Sequence, residues 1–228
     1  MRLVLQDSNR RCWGSPNSIG TAWRAAPDAV REFLLATPFG LFMSIIPEHV
    51  QRSQRLIAAL AERWFDTTHT FHWSWGEMTM TPLDVFVLTG IPAGGRPIEV
   101  SPMIRITEAG VEAALGWCPG GVGIPHGTLI ERLRTGSHHT VHGGVQLSRQ
   151  AVRQFARAMI LLLIQECFVA RGGDEVGLFW LVLLQDFSAI HTWDWSGLIL
   201  SVLYESMDSF SRLVSTCHRG LSMLWEVR

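Results

Sequence analysis

Lysine is absent from this sequence of 228 residues, and all 19 of its basic residues are arginine. A pyridoxal-phosphate aminotransferase forms its internal Schiff base on a lysine side chain, so the chain cannot have that activity. A phosphate-binding loop of the Walker A type also requires a lysine, followed by serine or threonine. The absence therefore excludes aminotransferase and P-loop chemistry, together with any lysine nucleophile.

Cysteine is scarce and scattered. The four cysteines lie far apart, with no CxxC pair among them: Cys12, Cys118, Cys167 and Cys217. This spacing indicates neither a disulfide framework nor a zinc ribbon. Cys167 lies within an apolar stretch and is expected in the core. We therefore expect reduced thiols in an intracellular compartment.

Long hydrophobic runs are missing as well. The longest, residues 158–164 and 178–184, are far shorter than the ~20 residues of a membrane-spanning helix. The apolar run near the first residue is too short for a signal peptide. The formal net charge of −1 gives no overall attraction to nucleic acid or anionic membranes. A soluble intracellular protein with no membrane partner is the expectation.

Apolar and aromatic side chains, by contrast, are abundant. The hydrophobic fraction is 47%, which is enough for the core of one large domain or two small ones. Ten tryptophans accompany a single tyrosine. Arginine and tryptophan are favoured at protein contacts, because they offer forked donors and large rigid surfaces. A GC-rich codon bias would also account for the arginines.

The stretch at residues 68–92 changes its hydrophobic period partway along. Phe71 and Trp73 alternate with polar residues, and after a turn the apolar residues resume at Met78 and Met80. A period of two on both sides of a turn predicts a short β-hairpin, with Phe71 and Trp73 buried on the face shared with Met78 or Met80.

A capped helix should follow the hairpin. Thr81 can accept from free backbone N–H groups, Pro82 suits the first helical position, and Asp84 would face the positive end of the helix. Gly90 and Pro92 then end it.

This stretch resembles the signature of the plant mobile domain, a family found in plant transposable elements and in related host proteins. The positions that carry the resemblance, expected to be structural, are Thr68, His69, Thr70, Phe71, His72, Gly76, Glu77, Met78, Thr79, Asp84, Val85, Gly90 and Pro92. Looser matches follow in the family's order at residues 156–164, 181–186, 195–204 and 220–226, and include Trp195, Tyr204 and Trp225.

The resemblance implies a domain over residues 38–228, after a loose tail and first helix at residues 1–37. The family's domain usually continues past this tryptophan-rich end, so a truncated copy is expected, with Leu221, Leu224 and Trp225 partly uncovered and an isolated chain prone to self-association. By resemblance the chain acts in the plant nucleus, in transposon silencing, gene expression and meristem maintenance, with a phosphoprotein-phosphatase-like partner.

The rest of the chain reads as mostly helical, which gives a mainly α fold with one small β-hairpin (α+β). Residues 1–22 are expected to be a loose tail, 91–106 a surface connection and 135–144 a loop and boundary. Helices are predicted at residues 27–36, 47–65, 107–117, 128–133, 148–170, 176–187, 195–214 and 219–227.

Candidate catalytic and metal sites are weak. His69 and His72 lie three apart in a strand and should point to opposite faces, so no metal site is expected there. The loop histidines, His138, His139 and His142, have no acid or cysteine nearby and are expected to be solvated. Glu205 and Asp208 share a helix face, and an ion pair with Arg212 is the favoured interpretation over acid–base work. No cofactor is expected.

The sequence is compatible with two classes of function and with the absence of any function. The favoured one is a non-enzymatic protein-interaction module. The alternative is a nucleic-acid-binding domain, suggested by two arginine triplets at helical spacing: Arg52, Arg55 and Arg63, and Arg149, Arg153 and Arg157. The near-neutral charge and the absence of a known reader motif count against it. A nonfunctional transposon-derived fragment is the third reading.

Overall fold

The computed structural model describes residues 11–12, 16–47, 53–99, 105–121, 123–143, 146–170 and 175–226, with only the backbone for residues 11–12 and 138–143. Within these ranges the chain is mainly helical with small sheets, as the sequence predicts. The α-helices are α1 (Asn17–Ala25), α2 (Asp28–Leu35), α3 (Gly40–Ile45), α4 (Gln54–Ala61), α5 (Pro82–Thr89), α6 (Glu108–Leu115), α7 (His126–Gly143), α8 (Arg149–Leu163), α9 (Trp180–Leu183) and α10 (Trp195–Ser211).

Short strands complete the described part of the fold. They are β1 (Arg11–Cys12), β2 (Trp64–Phe65), β3 (Thr70–Trp73), β4 (Gly76–Met78), β5 (Gly123–Pro125), β6 (Glu175–Gly177) and β7 (Cys217–His218). Strands β2, β3 and β4 form an antiparallel sheet in that order. β5 pairs with β6 antiparallel, and β1 pairs with β7 in parallel.

Helix α8 and the turn of π-helix that continues it form the centre of the main core. All side chains from Ala158 to Leu163 are buried, and so are most of those in the π-helix Ile164–Val169. Helices α1, α2, α6 and α7 pack around α8. Cys167 is fully buried there, as predicted.

A second, smaller core lies between α4, the three-stranded sheet and α10. Its fully or nearly fully buried members are Ile57, Ala61, Trp64, Phe71, Met207 and Phe210. Tyr204 and Trp225 pack against it from α10 and from the C-terminal 3₁₀-helix Ser222–Glu226. The hairpin of the family signature is therefore anchored in its own hydrophobic cluster.

Helix starts agree with the predicted caps. Thr81 and Asp84 form a reciprocal capping box at the start of α5, and Gly90 ends that helix in the left-handed conformation with φ of 73°. Thr107 and Ser148 cap α6 and α8 through their side-chain oxygens. These local hydrogen bonds satisfy backbone N–H groups that the first helical turn leaves unpaired.

Four predicted elements are wrong. Residues 135–143 continue helix α7 rather than forming a loop, and residues 17–22 of the predicted tail are helical in α1. The helix predicted over residues 176–187 is a strand, a turn and one short helix. The last predicted helix, residues 219–227, follows β7 and contains only the short 3₁₀-helix Ser222–Glu226.

The predicted helix at residues 47–65 is also shorter than expected. Residues 48–52 lie outside the described residues, α4 ends at Ala61, and Trp64 and Phe65 are in a strand. Trp64 pairs with Phe71 and Phe65 with Thr70, so the sheet has a third strand that the sequence reading did not include.

The expected loss of cover at the C-terminal end is not observed. Leu221 is 0% exposed and Leu224 is 4% exposed, and Trp225 is half-buried against Trp64 and Phe71. The three side chains are covered by the chain's own hairpin and core, so they give no reason for self-association.

Candidate functional site

The family signature is attached to α10 through one carboxylate. Trp64 Nε1 donates to Asp208 Oδ1 over 2.7 Å, and His69 Nε2 lies 3.1 Å from Asp208 Oδ2. The His69 ring is parallel to that of Tyr204, with an interplanar angle of 2° and centroids 5.2 Å apart. Asp208 therefore accepts from the sheet and from the turn before β3, and holds both against the helix.

His69 has a left-handed backbone, with φ of 53°. A non-glycine residue in this region is uncommon and indicates a local constraint. Here the constraint is visible, because the positive φ brings the imidazole to both Asp208 and Tyr204.

Tyr204 joins α10 to the chain that follows the hairpin. Its hydroxyl donates to the carbonyl oxygen of Met80 and lies 2.9 Å from Thr79 Oγ1. The only tyrosine of the sequence is thus placed at the contact between the signature and α10.

The opposite face of the hairpin carries a polar network. Thr70 Oγ1 donates to Glu77 Oε2 over 3.0 Å, and His72 Nε2 lies 3.1 Å from the same threonine oxygen. Thr68 adds a contact of 2.7 Å to Thr70, and Phe65 stacks on His72 at 3.7 Å. His69 and His72 therefore lie on opposite sides, as expected, but His69 is in the turn before β3 and not in a strand.

The hairpin register brings Phe71 opposite Met78, as expected, but the burial differs from the prediction. Phe71 is 6% exposed, whereas Met78 is 52% exposed. Trp73 is only half-buried and stacks on the exposed Trp75 with an interplanar angle of 3°. The deep contact of this hairpin is thus made by Phe71 with Trp64 and Trp225.

Three further residues of the family positions, Val85, Gly90 and Trp195, have their contacts within the protein itself. Val85 is fully buried on α5. Gly90 has a positive φ that favours glycine, and a Cβ there would lie 2.6 Å from Cδ2 of the exposed Leu41 side chain. Trp195 is fully buried, and its Nε1 donates to the Ile190 carbonyl oxygen over 2.8 Å.

Helix α5 exposes large apolar side chains, which is unusual for a helix in a signature segment. Leu83 is 63%, Phe86 43% and Val87 72% exposed, and their spacing places them on one helix face. Leu41 of α3, 55% exposed, lies close to the end of α5 at Gly90, and Ile45, one turn further along α3, is equally exposed. We name these five side chains the α3–α5 surface.

The α3–α5 surface carries almost no charge. Helix α3 has no charged residue, and the only one in α5 is Asp84. That carboxylate accepts from both the backbone N–H and the hydroxyl of Thr81, which hold its pKa below its ordinary value. An exposed, uncharged apolar surface is typical of a protein-contact site.

The sequence reading did not identify the α3–α5 surface. The apolar residues of α5 occur on all sides of the helix, a pattern that suggests complete burial. Only Val85 and Thr89 of this helix are buried. The available signal in the sequence was that α5 has more apolar residues than a single buried helix face requires.

The predicted acidic pair is divided between different partners. Glu205 lies 3.5 Å from Arg219, and Asp208 binds Trp64 and His69. Arg212 pairs with Asp66 and not with Asp208, so that part of the prediction is wrong. The two carboxylates of the helix therefore hold neighbouring segments in place.

The second arginine triplet does not form one free basic face. Arg157 donates to the carbonyl oxygens of Leu184, Gln185 and Ala114, at 2.9, 3.0 and 3.3 Å. Its guanidinium also lies 4.8 Å from the centre of the Phe187 ring. Arg157 thus connects α8 to its neighbours, while Arg149 and Arg153 remain exposed.

In the first triplet, Arg52 lies outside the described residues, and Arg55 is exposed on α4. Arg63 is exposed too, and its guanidinium lies 5.7 Å from the Trp73 ring centre. Arg63 follows the end of α4 at Ala61, so Arg55 and Arg63 do not lie on one continuous helix face.

A pair of a partly exposed histidine and a buried glutamate lies apart from the signature. His126 Nε2 is 2.7 Å from Glu166 Oε1, and the glutamate side chain is only 9% exposed. Burial raises the pKa of Glu166, and the Ser18 side chain, His126 and the Ile19 backbone N–H act in the opposite direction. Glu166 therefore links the π-helix to β5–α7 and to the first turn of α1.

Among the described residues no group of three histidine, cysteine, aspartate or glutamate side chains is close enough to hold a metal ion. The side chains of His138, His139 and His142 lie outside that description, and their backbone is helical. No helix in the described ranges combines the length and the apolar character needed to cross a bilayer.

The comparisons with known proteins agree with the signature. The model of the family described as "Plant mobile domain" matches residues 40–226. MAIN-LIKE 2 of Arabidopsis thaliana is 29% identical over 88% of this chain and 29% of its own length. MAIN-LIKE 1 from the same plant is 31% identical over 76% of this chain and 34% of its own length.

A third relative carries a phosphatase name. The "Serine/threonine-protein phosphatase 7 long form homolog" of Arabidopsis thaliana is 30% identical over 82% of this chain and 14% of its own length. The chain thus spans between 14% and 34% of the length of these curated relatives. No solved structure matches it. Since the family model covers most of the sequence, including the hairpin, α5 and α10, the chain belongs to the plant mobile domain family.

Proposed function

We propose that this chain is a non-enzymatic protein-interaction module that contacts a phosphoprotein-phosphatase-like protein through the α3–α5 surface. The observation that carries the proposal is the exposure of Leu83, Phe86 and Val87 within the family signature. Large apolar side chains exposed together favour association with another protein, because burying them removes apolar area from water.

The rigidity of the surrounding structure supports this role. The capping box fixes the start of α5, the Gly90 cap fixes its end, and the helix packs on α10. A preformed helix loses little conformational freedom on binding, so more of its contact energy appears as affinity.

The choice of partner rests on the phosphatase named among the relatives. This chain is related to one part of that protein. We therefore propose that it binds a phosphatase-like domain that belongs to another chain. The α3–α5 surface has no charge to match, so the complementary surface should itself be apolar, and the interaction should depend little on salt.

An enzymatic role has little support from the described side chains. Asp208 already accepts a hydrogen bond from Trp64, and the His69 ring stacks on Tyr204. The nearby hydroxyls of Thr79 and Tyr204 form a hydrogen bond with each other. A nucleophile held by a histidine is therefore not assembled at this site. We propose that these residues maintain the hairpin and do not perform catalysis.

We further propose that the module acts in the plant nucleus, in gene expression, transposon silencing and meristem maintenance. The proposal is supported by the family and by a relative named "MAINTENANCE OF MERISTEMS", 23% identical over 72% of this chain. A fluorescent fusion expressed in plant meristem cells should accumulate in nuclei, and exclusion from nuclei would contradict this part of the proposal.

The contact surface can be tested with two matched double variants. Leu83→Ser with Val87→Ser removes two members of the α3–α5 surface, and Leu213→Ser with Val214→Ser removes an equally exposed leucine and valine elsewhere. Binding to the purified phosphatase-like domain of the relative is measured by titration calorimetry. We expect about tenfold or more weaker binding for the first variant only.

Equal binding by both double variants would contradict the assigned surface. Circular dichroism melting of each variant serves as the control for folding, because exposed positions contribute little to stability.

A further inference from the structure

A cavity of about 390 Å³ lies between α1, α7 and α8, away from the signature and from the α3–α5 surface. Its size falls within the range of small-molecule sites, which is roughly 300–1,000 Å³. Its apolar lining consists of Ala22, Ala25, Ile130, Leu133 and Leu162.

The cavity exists because one wall has short side chains. Helix α1 presents Ser18, Thr21, Ala22 and Ala25 to it, whereas α7 presents longer residues. Alanine and serine do not reach across the distance that separates two packed helices, which is about 8–10 Å. The space is therefore a consequence of the sequence of α1.

The buried hydroxyl group at the cavity already uses its proton. Ser137 is buried and donates from Oγ to the Leu133 carbonyl oxygen over 2.8 Å. A serine that donates elsewhere still has lone pairs to accept, so this hydroxyl is an acceptor for a ligand.

The one charged side chain that lines the cavity among the described residues, Arg134, is paired with a carboxylate. Arg134 donates from Nε and Nη2 to the two oxygens of Glu131, at 3.1 and 2.9 Å. Among the described residues, none of those lining the cavity is acidic. A ligand there meets no free acid that would hold a cation, and its best polar group is a neutral N–H or O–H.

We propose that this cavity binds a compact neutral organic molecule with an apolar ring or branched body and one N–H or O–H donor directed at Ser137. The apolar lining accounts for the body of the ligand, and the acceptor hydroxyl of Ser137 accounts for the donor. Indole and phenol rings are the simplest molecules of this class.

Fluorine NMR on the full chain, with 5-fluoroindole as probe and fluorobenzene as its donor-free counterpart, tests the proposal. Ala22→Leu fills the cavity, and Ala109→Leu adds the same atoms at an exposed position of α6. We expect the 5-fluoroindole signal to broaden with the wild type and with Ala109→Leu, and to be affected about tenfold less with Ala22→Leu.

Ser137→Ala tests the donor separately, and remains informative if Ala22→Leu does not fold. It should weaken 5-fluoroindole by about fivefold or more, the effect of one lost hydrogen bond, and leave fluorobenzene binding unchanged. An equal effect on both probes, or no effect of the wild-type protein on 5-fluoroindole at millimolar concentration, would overturn the proposal.

Discussion

Asp208 accepts from Trp64 Nε1 and contacts His69, so a single carboxylate joins α10 to β2 and to the turn before β3. The side chain is only 21% exposed. A mostly buried acceptor that loses its donor keeps the cost of its desolvation, which makes the loss larger than the average worth of a hydrogen bond.

Trp64→Phe removes the indole N–H and keeps most of the ring. We expect the free energy of unfolding to fall by about 2–3 kcal/mol, from one lost charge-assisted hydrogen bond and a smaller ring. Urea denaturation measures the change. The comparison variant is Trp75→Phe, at a residue that is 68% exposed, and it should be nearly neutral. Equal effects of the two substitutions would contradict the role of Asp208.

Glu166 is the group whose ionisation should oppose folding. Burial raises its pKa above the ordinary value of 4.5. The folded chain then holds this proton more tightly than the unfolded chain, so the contribution to stability is complete below pH 4.5 and is lost as the pH rises through the raised pKa. Glu166→Gln has no proton to lose and should flatten this slope.

We therefore expect Glu166→Gln to gain stability relative to the wild type as the pH is raised from 4 towards 7, measured by chemical denaturation at each pH. Glu131→Gln is a control of opposite sign, because hydrogen bonds from Arg134 and Thr135 lower the pKa of Glu131. Its contribution is present above the ordinary pKa of 4.5 and is lost as the pH falls. A relative loss of stability for Glu166→Gln with rising pH would contradict the account.

At the scale of the element, the hairpin shows which of its aromatic residues matters. Phe71→Ala should cost about 3–5 kcal/mol, the usual loss for a buried aromatic residue, because Phe71 contacts both Trp64 and Trp225. Trp73→Ala should cost clearly less, since its ring is half-buried and stacks on an exposed neighbour. Thermal melting of the two variants decides the order, and the reverse order would contradict the register.

The elements that could be predicted from the sequence are those with local signals. The start and end of α5 were predictable because Thr81, Asp84 and Gly90 bond within the helix they cap. The strand β6 was not, because it depends on pairing with β5, and its apolar neighbours suggest a helix equally well. The same holds for Trp64 and Phe65, which form a strand because β3 lies beside them.

The candidate site was predictable only in part, for the same reason. The signature identified the hairpin residues, but the left-handed turn that places His69 on the other side from His72 was not predicted. Their partner on α10 was not identifiable, because Asp208 is distant in sequence and its spacing to Arg212 indicated an ion pair. Exposure of α5 depends on what packs around it, which no local pattern determines.

For the whole molecule, the charge distribution argues against nucleic-acid binding. The net charge is −1, and Arg157 is bound to three carbonyl oxygens. Binding to a DNA duplex, measured by fluorescence anisotropy, should be weak and disappear at moderate salt. Tight binding with a log–log salt slope of several units would show that arginines contact phosphates, and would favour the alternative function.

At the scale of the whole molecule, the proposed function depends on the α3–α5 surface. The fold places the apolar α3–α5 surface on the outside, while Leu221 and Leu224 near the C-terminal end are buried by the chain itself. Association should therefore involve α3 and α5, and leave the cavity beside α1 and α7 accessible.

Hydrogen–deuterium exchange with and without the phosphatase-like domain tests this central claim most directly. Exchange reports local opening, and amides under a contact surface exchange more slowly when the partner is bound. The account predicts slower exchange in Gly40–Ile45 and Pro82–Thr89 and no change in Asn17–Ala25 or His126–Gly143. Protection confined to α1 and α7, with α3 and α5 unchanged in the complex, would contradict it.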